Sequence, residues 1–214
     1  SGRIEGITFD QAARCGMSYD LSGPICDRAM FHADNTYYLP NVKITSYRCK
    51  THTVSNTAFR GFGGPQMYFA IERLMHKIAV KLELDPLDVI RRNLLEADIF
   101  PYQTPAGALY DSGNYPRALE IAVEKGGLEE LLQRRKKARA SGKIYGIGYA
   151  AVVEPGMSNM GYLSTIVPVE ERRKKGSQDG AISMATVNVD PLGSVSVTSD
   201  TTPQGQGHGT VLSQ

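Results

Sequence analysis

Apolar residues recur at helical spacing in the middle of the chain. The clearest run predicts an amphipathic helix whose apolar face has residues three or four positions apart: Tyr68, Ile71, Leu74, Met75, Ile78 and Leu82. Glu72, Arg73 and Lys77 fall elsewhere on this helix and are expected to face water. A second helix is expected after Asp85, a good N-cap, with Pro86 in its first turn.

Two further helices are expected beyond these. Asn114 suits the N-cap of a helix that ends at Lys125, where Gly126 and Gly127 interrupt the pattern. The next helix covers residues 128–140 and carries a basic run, which is typical of a solvated helix face. Helices are therefore concentrated in the middle of the chain.

Alternating apolar and polar residues predict strands on both sides of the helices. Residues 3–9 and 42–49 alternate, and the stretch between them is expected to be irregular. The pattern turns to β again at residues 144–153. Segments 181–189 and 194–198 then flank an Asp-Pro-Leu-Gly turn and predict a β-hairpin. The predicted fold class is α+β, with mixed strands and a central group of helices.

Composition narrows the functional classes only a little. The 214 residues include 24 basic and 22 acidic side chains, a net charge of +2, which gives no reason to expect nucleic acid or a membrane as partner. No apolar run approaches the ~20 residues that span a bilayer. Cys15, Cys26 and Cys49 lack metal-ligand spacing and are expected to be reduced thiols of a cytoplasmic protein. Both ends look cut, so we expect a fragment of a longer polypeptide.

Residues 59–66, Phe-Arg-Gly-Phe-Gly-Gly-Pro-Gln, are the most informative chemical feature. Gly61, Gly63 and Gly64 allow main-chain conformations closed to other residues and let a ligand approach the backbone. Pro65 suits the first turn of the helix that follows. A glycine-rich loop that leads into a helix presents N–H groups to an anionic or oxo-rich ligand.

This string resembles the active-site loop of the xanthine dehydrogenase family of molybdenum hydroxylases. The resemblance implies that the chain is part of a molybdopterin-binding domain of such an enzyme. It also implies that Phe62 lies against an aromatic substrate, and that the backbone of Arg60 and Gly61 lies near the molybdenum ligands. A phenylalanine ring suits this role because it can stack on a heteroaromatic ring. Without the resemblance, a tight turn with two buried phenylalanines would account for the glycines.

A second segment, residues 27–32, supports the same resemblance. It is similar to the segment of xanthine-oxidising members whose arginine hydrogen-bonds to a substrate carbonyl oxygen. The resemblance assigns that role to Arg28, whose planar guanidinium donates hydrogen bonds in a fixed fork. His32 in the same segment is expected to be a structural histidine.

A third segment, near the C-terminal end, contains Gly-Gln-Gly and resembles the pterin-cofactor segment of the family. By that resemblance, the side-chain amide of Gln206 donates to the apical oxo group of molybdenum and is not itself a metal ligand. Gly205 and Gly207 belong to the same cofactor loop. His208 and Thr210 are candidates for polar contacts with the cofactor.

The resemblance implies molybdopterin with molybdenum, either plain or as the cytosine dinucleotide, in an enzyme that oxidises N-heterocycles or aldehydes with water as the oxygen source. Residues 1–110 would hold the substrate and molybdenum loop, and residues 111–214 a helical linker and the hairpin with its cofactor loop. The implied partners are the remaining segments of the molybdenum subunit and subunits or domains with iron–sulfur clusters and FAD. No residue of this chain is expected to be the catalytic base, because the family's glutamate lies beyond Gln214.

One region departs from the xanthine-type pattern. Those members supply a second phenylalanine to the substrate site, but this chain has none there, and Met157, Met160 or Tyr162 is expected to fill the space. A purine is therefore less expected as substrate than other N-heterocycles or aldehydes. Two alternative functions stay open. The glycine-rich loops would bind the phosphates of a nucleotide, although neither has the spacing of a dinucleotide or P-loop motif. Otherwise, the chain is a non-catalytic scaffold that packs against partner segments without a cofactor.

Overall fold

The computed structural model describes residues 1–154 and 184–214. They belong to two compact units, Ser1–Gly156 and Met157–Gln214. The elements of the first unit are, in chain order, β1 (Ile7–Gly16), α1 (Ser22–Phe31), β2 (Val42–Lys50), α2 (Gly64–Leu82), α3 (Pro86–Asn93), a 3-10 turn (Ala97–Ile99), β3 (Tyr102–Gln103), β4 (Leu109–Tyr110), α4 (Tyr115–Lys125) and α5 (Leu128–Ala140). Those of the second are β5 (Ala185–Val189), β6 (Val195–Ser199) and α6 (His208–Val211).

The α+β fold class is confirmed, and the predicted helices α2 to α5 are present. The predicted division into residues 1–110 and 111–214 was a division by proposed role. The two compact units do not test roles, so this division stays a prediction. In the described part of the chain, no helix is long and apolar enough to cross a membrane.

The first unit begins with a β–α–β arrangement. Strands β1 and β2 pair in parallel, with Ile7 opposite Val42, and α1 lies between them in the chain. The expectation of an irregular stretch between the two strands was therefore wrong. Helix α1 gave no clear apolar period because its buried face consists of small residues: Ser22, Gly23, Cys26 and Ala29. Strand β1 also begins later than expected, at Ile7, and continues to Gly16.

Helix α2 supplies the centre of the core. Ile71, Met75 and Ala79 are fully buried at a spacing of four residues, and they pack in one cluster with Val89 of α3 and with Leu39. Burying a side chain of the size of Ile71 or Met75 contributes about 1.5–3 kcal/mol. The amphipathic period predicted for α2 is thus confirmed, with Leu82 half exposed at its end.

Glu72 of α2 was expected to face water, and this expectation was wrong. Its Oε1 accepts hydrogen bonds from Tyr37 Oη at 2.7 Å and Asn35 Nδ2 at 2.9 Å, and its Oε2 accepts from Ala151 N at 3.1 Å. Burial raises the pKa of Glu72, while the three donors oppose that rise. Glu72 therefore joins α2 to two distant segments of the chain.

The β-strand expected at residues 144–153 is not present as a strand. Its main chain bonds to side chains instead of to a neighbouring strand. Besides Ala151 N, the carbonyl of Ala151 accepts from Asn35 Nδ2 at 2.7 Å and from Thr36 Oγ1 at 3.1 Å. Val153 N donates to Asn35 Oδ1 at 3.3 Å. The alternating pattern correctly indicated that every second residue of this segment is half-buried. It did not show whether the main chain would bond to side chains or to a neighbouring strand.

The predicted helix caps are confirmed. Asp85 Oδ1 accepts from Leu87 N at 2.7 Å at the start of α3, and Asn114 Oδ1 accepts from Arg117 N at 2.9 Å at the start of α4. In the second unit, β5 and β6 pair antiparallel as the predicted hairpin. Asp190 Oδ1 accepts from the main chain across its turn, as expected for the Asp-Pro-Leu-Gly sequence.

Candidate functional site

The loop before α2 turns through three consecutive left-handed residues. The φ angles are +93° at Gly61, +46° at Phe62 and +98° at Gly63. Glycine adopts such angles freely, but a phenylalanine at positive φ is strained and needs support from its surroundings. Phe62 N donates to Phe59 O at 2.8 Å, and Gly64 N donates to Gly61 O at 3.0 Å. These two bonds close the turn and present the Phe62 side chain, which is partly exposed.

The loop lies directly on α1. A Cβ added at Gly63 would lie 2.2 Å from the carbonyl oxygen of Ile25 and 3.1 Å from the amide nitrogen of Ala29. Only glycine leaves room for this contact between two backbones. Ile25 and Ala29 flank Arg28 on α1, so the structure brings together the two predicted segments that carry Phe62 and Arg28. These positions are 34 residues apart in the sequence.

Arg28 is the first member of a polar cluster that also includes Glu154 and Tyr68. Arg28 Nη2 forms an ion pair with Glu154 Oε1, and Tyr68 Oη of α2 donates to Glu154 Oε2 at 2.8 Å. Burial and the charge of Glu154 raise the pKa of Tyr68, so its hydroxyl stays protonated and acts as a donor. The arginine assigned to substrate binding is therefore already paired with a carboxylate of its own chain.

His32, one turn beyond Arg28, is buried and its ring lies edge-on to that of Tyr68, with centroids 6.0 Å apart. Burial and the positive charge of Arg28 lower the pKa of His32 to about 4. The imidazole is thus neutral at pH 7, in keeping with the structural role expected for it.

This lowered pKa predicts an acid-sensitive fold. His32 takes up a proton near pH 6.5 in the unfolded state and only near pH 4 in the folded state. The contribution of neutral His32 to the free energy of unfolding is therefore complete above pH 6.5 and is lost as the pH falls from 6.5 to 4. Between pH 7 and pH 5 the free energy of unfolding should fall by about 2 kcal/mol through this residue. Urea unfolding at both pH values, compared with His32→Gln, measures it.

Burial also raises the pKa values of Asp34 and Glu72, so the difference in pH dependence between the parent chain and His32→Gln is the relevant quantity. The exposed His76→Gln on α2 is the matched control and should keep the pH dependence of the parent chain. Equal pH dependence in His32→Gln and the parent would contradict a buried neutral His32.

The other predicted residues of the loop are at the surface. Phe59 is 76% exposed, so the alternative of a turn with two buried phenylalanines does not hold. The Arg60 side chain is exposed next to it. Met157, Met160 and Tyr162, which stand where a second phenylalanine was considered, lie outside the described residues.

The predicted cofactor loop follows the hairpin in the second unit. Gly205 and Gly207 have φ angles of +102° and +80°, and Gly207 precedes the short helix α6. Among the described residues, no atom lies within 4 Å of a Cβ added at Gly207 or Gly209, so this backbone borders open space. The main chain of this loop is therefore accessible among the described residues, and its role in cofactor binding stays a prediction.

The polar side chains of this loop are turned onto the loop itself. Gln206 Oε1 accepts from Gln204 N, and Gln206 Nε2 lies 3.4 Å from Thr202 O. His208 Nε2 lies 3.4 Å from Thr201 Oγ1. The two longer contacts are at the limit of a hydrogen bond, so these side chains can exchange them for a ligand at low cost. Thr210 lies within the four-residue helix α6 and is exposed.

A groove of about 860 Å³ lies elsewhere in the first unit and has three arginines in its lining, Arg3, Arg91 and Arg92. Arg91 is bound to Glu120 at 2.8 Å and Arg92 holds the carbonyl of Ser1. Two of the three are thus engaged within the protein, and none of the predicted site residues lines the groove. The groove therefore does not test phosphate binding by the glycine-rich loops, which stays an alternative hypothesis.

Tyr68 and Glu154 are the residues that sequence reasoning missed. Tyr68 was counted as part of the apolar face of α2, and Glu154 was not connected with Arg28 because 126 residues separate them. A carboxylate at the end of an extended segment is an ordinary surface feature in a sequence. The only signal was a charged residue directly after an alternating apolar run, which is too common to identify a site.

Comparison with known proteins agrees with these motifs. Two family models, both described as molybdopterin cofactor-binding domain, match residues 1–94 and 121–214. The xanthine dehydrogenase of Calliphora vicina is 45% identical over 103 residues, which are 48% of this chain and 8% of that protein. The nicotine 6-hydroxylase large subunit of Paenarthrobacter nicotinovorans is 31% identical over 178 residues, 83% of this chain and 20% of that protein.

The fold also matches solved structures. The quinoline 2-oxidoreductase of Pseudomonas putida 86 superposes with a TM-score of 0.71 and 27% identity, covering 97% of this chain and 26% of that one. The chain therefore spans about a quarter or less of the length of these relatives. The resemblance drawn from three short segments is confirmed over most of the chain.

Proposed function

The chain belongs to the xanthine dehydrogenase and aldehyde oxidase family of molybdenum hydroxylases, and we propose that it forms part of the molybdopterin-binding subunit of such an enzyme. One observation carries the proposal. The left-handed turn of residues 61–63 packs on the backbone of α1 at Ile25 and Ala29, so the residue that carries the aromatic ring and the residue that carries the guanidinium lie on two backbone segments in contact. This pairing suits a flat heterocycle with a polar edge.

Phe62 and Arg28 would act on the substrate. The Phe62 ring stacks on a heteroaromatic ring, which favours the flat orientation and excludes water from one face. The Arg28 cluster binds a polar atom on the edge of the ring and so fixes its rotation in the plane. Orientation of this kind contributes to rate because it leaves less freedom to be lost at the reacting carbon.

The cofactor would be held by backbone and by small polar groups. Molybdopterin, when bound, supplies a molybdenum centre at which a substrate carbon is hydroxylated with oxygen from water. Gly205 and Gly207 leave their main chain accessible to it, and the amide of Gln206 donates a hydrogen bond towards its molybdenum end. His208 would make a further polar contact through its imidazole and Thr210 through its hydroxyl. By the family resemblance, the backbone of Arg60 and Gly61 would be a further cofactor contact.

Electrons would leave through other parts of the enzyme. Among the described residues, no group of three His, Cys, Asp or Glu side chains is placed to hold a metal ion. From the family resemblance, we infer that iron–sulfur clusters and FAD are carried by partner domains or subunits, and that the glutamate base lies on another segment of the molybdenum subunit. The three cysteines are free, which suits a cytoplasmic location. N-heterocycles or aldehydes are the proposed substrates, and the pterin is either plain or the cytosine dinucleotide.

Elemental mass spectrometry tests the proposal directly. The chain is purified from its host together with everything that stays bound, and its molybdenum content is measured. We expect one molybdenum per chain in the complete assembly, lost when the partners are removed. Absence of molybdenum from a complete, partner-bound assembly would overturn the proposed function.

Phe62→Ala tests the substrate role in the same assembly. We expect kcat/KM for a heterocyclic substrate to fall about 30-fold, because about 2 kcal/mol of stacking and burial is lost, while the molybdenum content stays unchanged. Phe59→Ala is the matched control, since this ring lies in the same loop and is exposed to solvent. If both variants lose activity equally, the loop and not the Phe62 ring is responsible.

A further inference from the structure

We propose that Glu154 sets the charge of the substrate that this site accepts, so that a neutral or cationic nitrogen heterocycle with an N–H donor is favoured over one that carries a carboxylate. The inference rests on the proposed function, because it takes Arg28 and Phe62 as the substrate site. It goes further by assigning a specificity-determining residue and a class of substrate.

The accessible member of the ion pair is the carboxylate. The Arg28 side chain is 11% exposed, whereas that of Glu154 is 45% exposed. A ligand that approaches the pair therefore meets Glu154 before it meets the guanidinium. Arg28 taken alone would attract anions, but here its charge is already offset within the chain.

Glu154 keeps capacity to accept further hydrogen bonds. Each oxygen has one partner within the cluster, Arg28 at Oε1 and Tyr68 at Oε2. An ionised carboxylate has about four lone-pair positions, so a ligand N–H can be added without displacing either partner. Because Tyr68 and Arg28 hold the carboxylate from two sides, its orientation is defined before a ligand binds.

An anionic ligand meets the opposite situation. To reach Arg28 it must displace Glu154 from the guanidinium or lie beside it, and either arrangement places two negative charges next to each other. Like-charge contacts at a binding site select strongly against the wrong partner. The same carboxylate therefore attracts a cationic nitrogen and repels an acid.

Three probes of similar size and different charge test the inference. They are 3-(aminomethyl)pyridine, pyridine-3-carboxamide and pyridine-3-carboxylate, which are cationic, neutral and anionic at pH 7. Dissociation constants are measured by calorimetry on the purified assembly that contains the chain. We expect the cationic probe to bind at least about tenfold more tightly than the anionic one, with the neutral probe between them.

The variants decide whether Glu154 is responsible. Glu154→Gln should reduce the difference between cationic and anionic probes to less than about threefold, and Glu154→Asp, which keeps the charge, should retain the original order. Asp27→Asn is the matched control. It also removes one negative charge, but this charge lies on α1 next to Arg28 and is paired with Arg48 in a more exposed ion pair. It should leave the order of the probes unchanged.

The outcomes separate this inference from the proposed function. An unchanged order in Glu154→Gln, a wild type that prefers the anion, or no binding of any probe would overturn the role of Glu154. Molybdenum content, measured on the same samples, reports on the proposed function alone. Circular dichroism at 222 nm is compared between variants, and if Glu154→Gln is unfolded, loss of the order in Glu154→Asp would overturn the inference.

Discussion

Replacing Glu72 with alanine is expected to lower the free energy of unfolding of the first unit by about 3–5 kcal/mol. Glu72 accepts hydrogen bonds from Tyr37 Oη, Asn35 Nδ2 and Ala151 N, and the Tyr37 side chain is fully buried. Alanine would leave these donors without their acceptor and open a cavity beside α2. Buried donors without partners are costly because folding has already removed their water.

Urea unfolding followed by circular dichroism measures this loss. Glu72→Gln keeps the size of the side chain and one acceptor oxygen, so we expect it to cost less, about 1–2 kcal/mol. Glu124→Ala on α4 is the control, since it removes an exposed glutamate and should change stability by no more than about 0.5 kcal/mol. A loss below about 1 kcal/mol for Glu72→Ala would mean that water replaces the carboxylate, and the network would then be unimportant for stability.

Gly63→Ala is the second substitution with a large expected effect, about 2–5 kcal/mol of unfolding free energy. Two terms contribute. An alanine at φ +98° is strained by about 1–2 kcal/mol, and its Cβ would lie 2.2 Å from the carbonyl oxygen of Ile25. That neighbour is backbone of α1 and cannot rotate away, so the loop or the helix must move, at a further cost of about 1–3 kcal/mol.

Gly127→Ala separates these two terms. Gly127 also has a positive φ, +61°, but no atom lies within 4 Å of an added Cβ among the described residues. We expect it to lose only the strain contribution, about 1 kcal/mol. The difference between the two variants in urea unfolding then measures the contact between the loop and α1. Equal losses would show that the loop does not rely on this contact, which would weaken the pairing of Phe62 with Arg28.

Local features of the chain were predictable because their causes are local. The caps at Asp85 and Asn114, the apolar period of α2 and the turn of the β5–β6 hairpin each depend on residues within a few positions of one another. Motifs of eight or nine residues were likewise enough to identify the family by resemblance. In the loop of residues 59–66 the backbone itself requires glycine at positions 61 and 63, where φ is positive. Helix α1 escaped because small buried residues produce almost no apolar period.

Pairing between distant residues was decided only by the tertiary structure. Arg28 and Glu154 lie 126 positions apart and Tyr68 and Glu154 lie 86 apart, and no local pattern connects them. The same holds for Glu72, which the sequence predicted to face water. In the structure its carboxylate accepts hydrogen bonds from Asn35, Tyr37 and Ala151. The sequence by itself determined helices α2 to α5, the hairpin and the identity of the glycine loops. Contacts of α1 and α2 with the segment that ends at Glu154 determined which charges meet at the site, because electrostatic pairing depends on distance in space and not on separation along the chain.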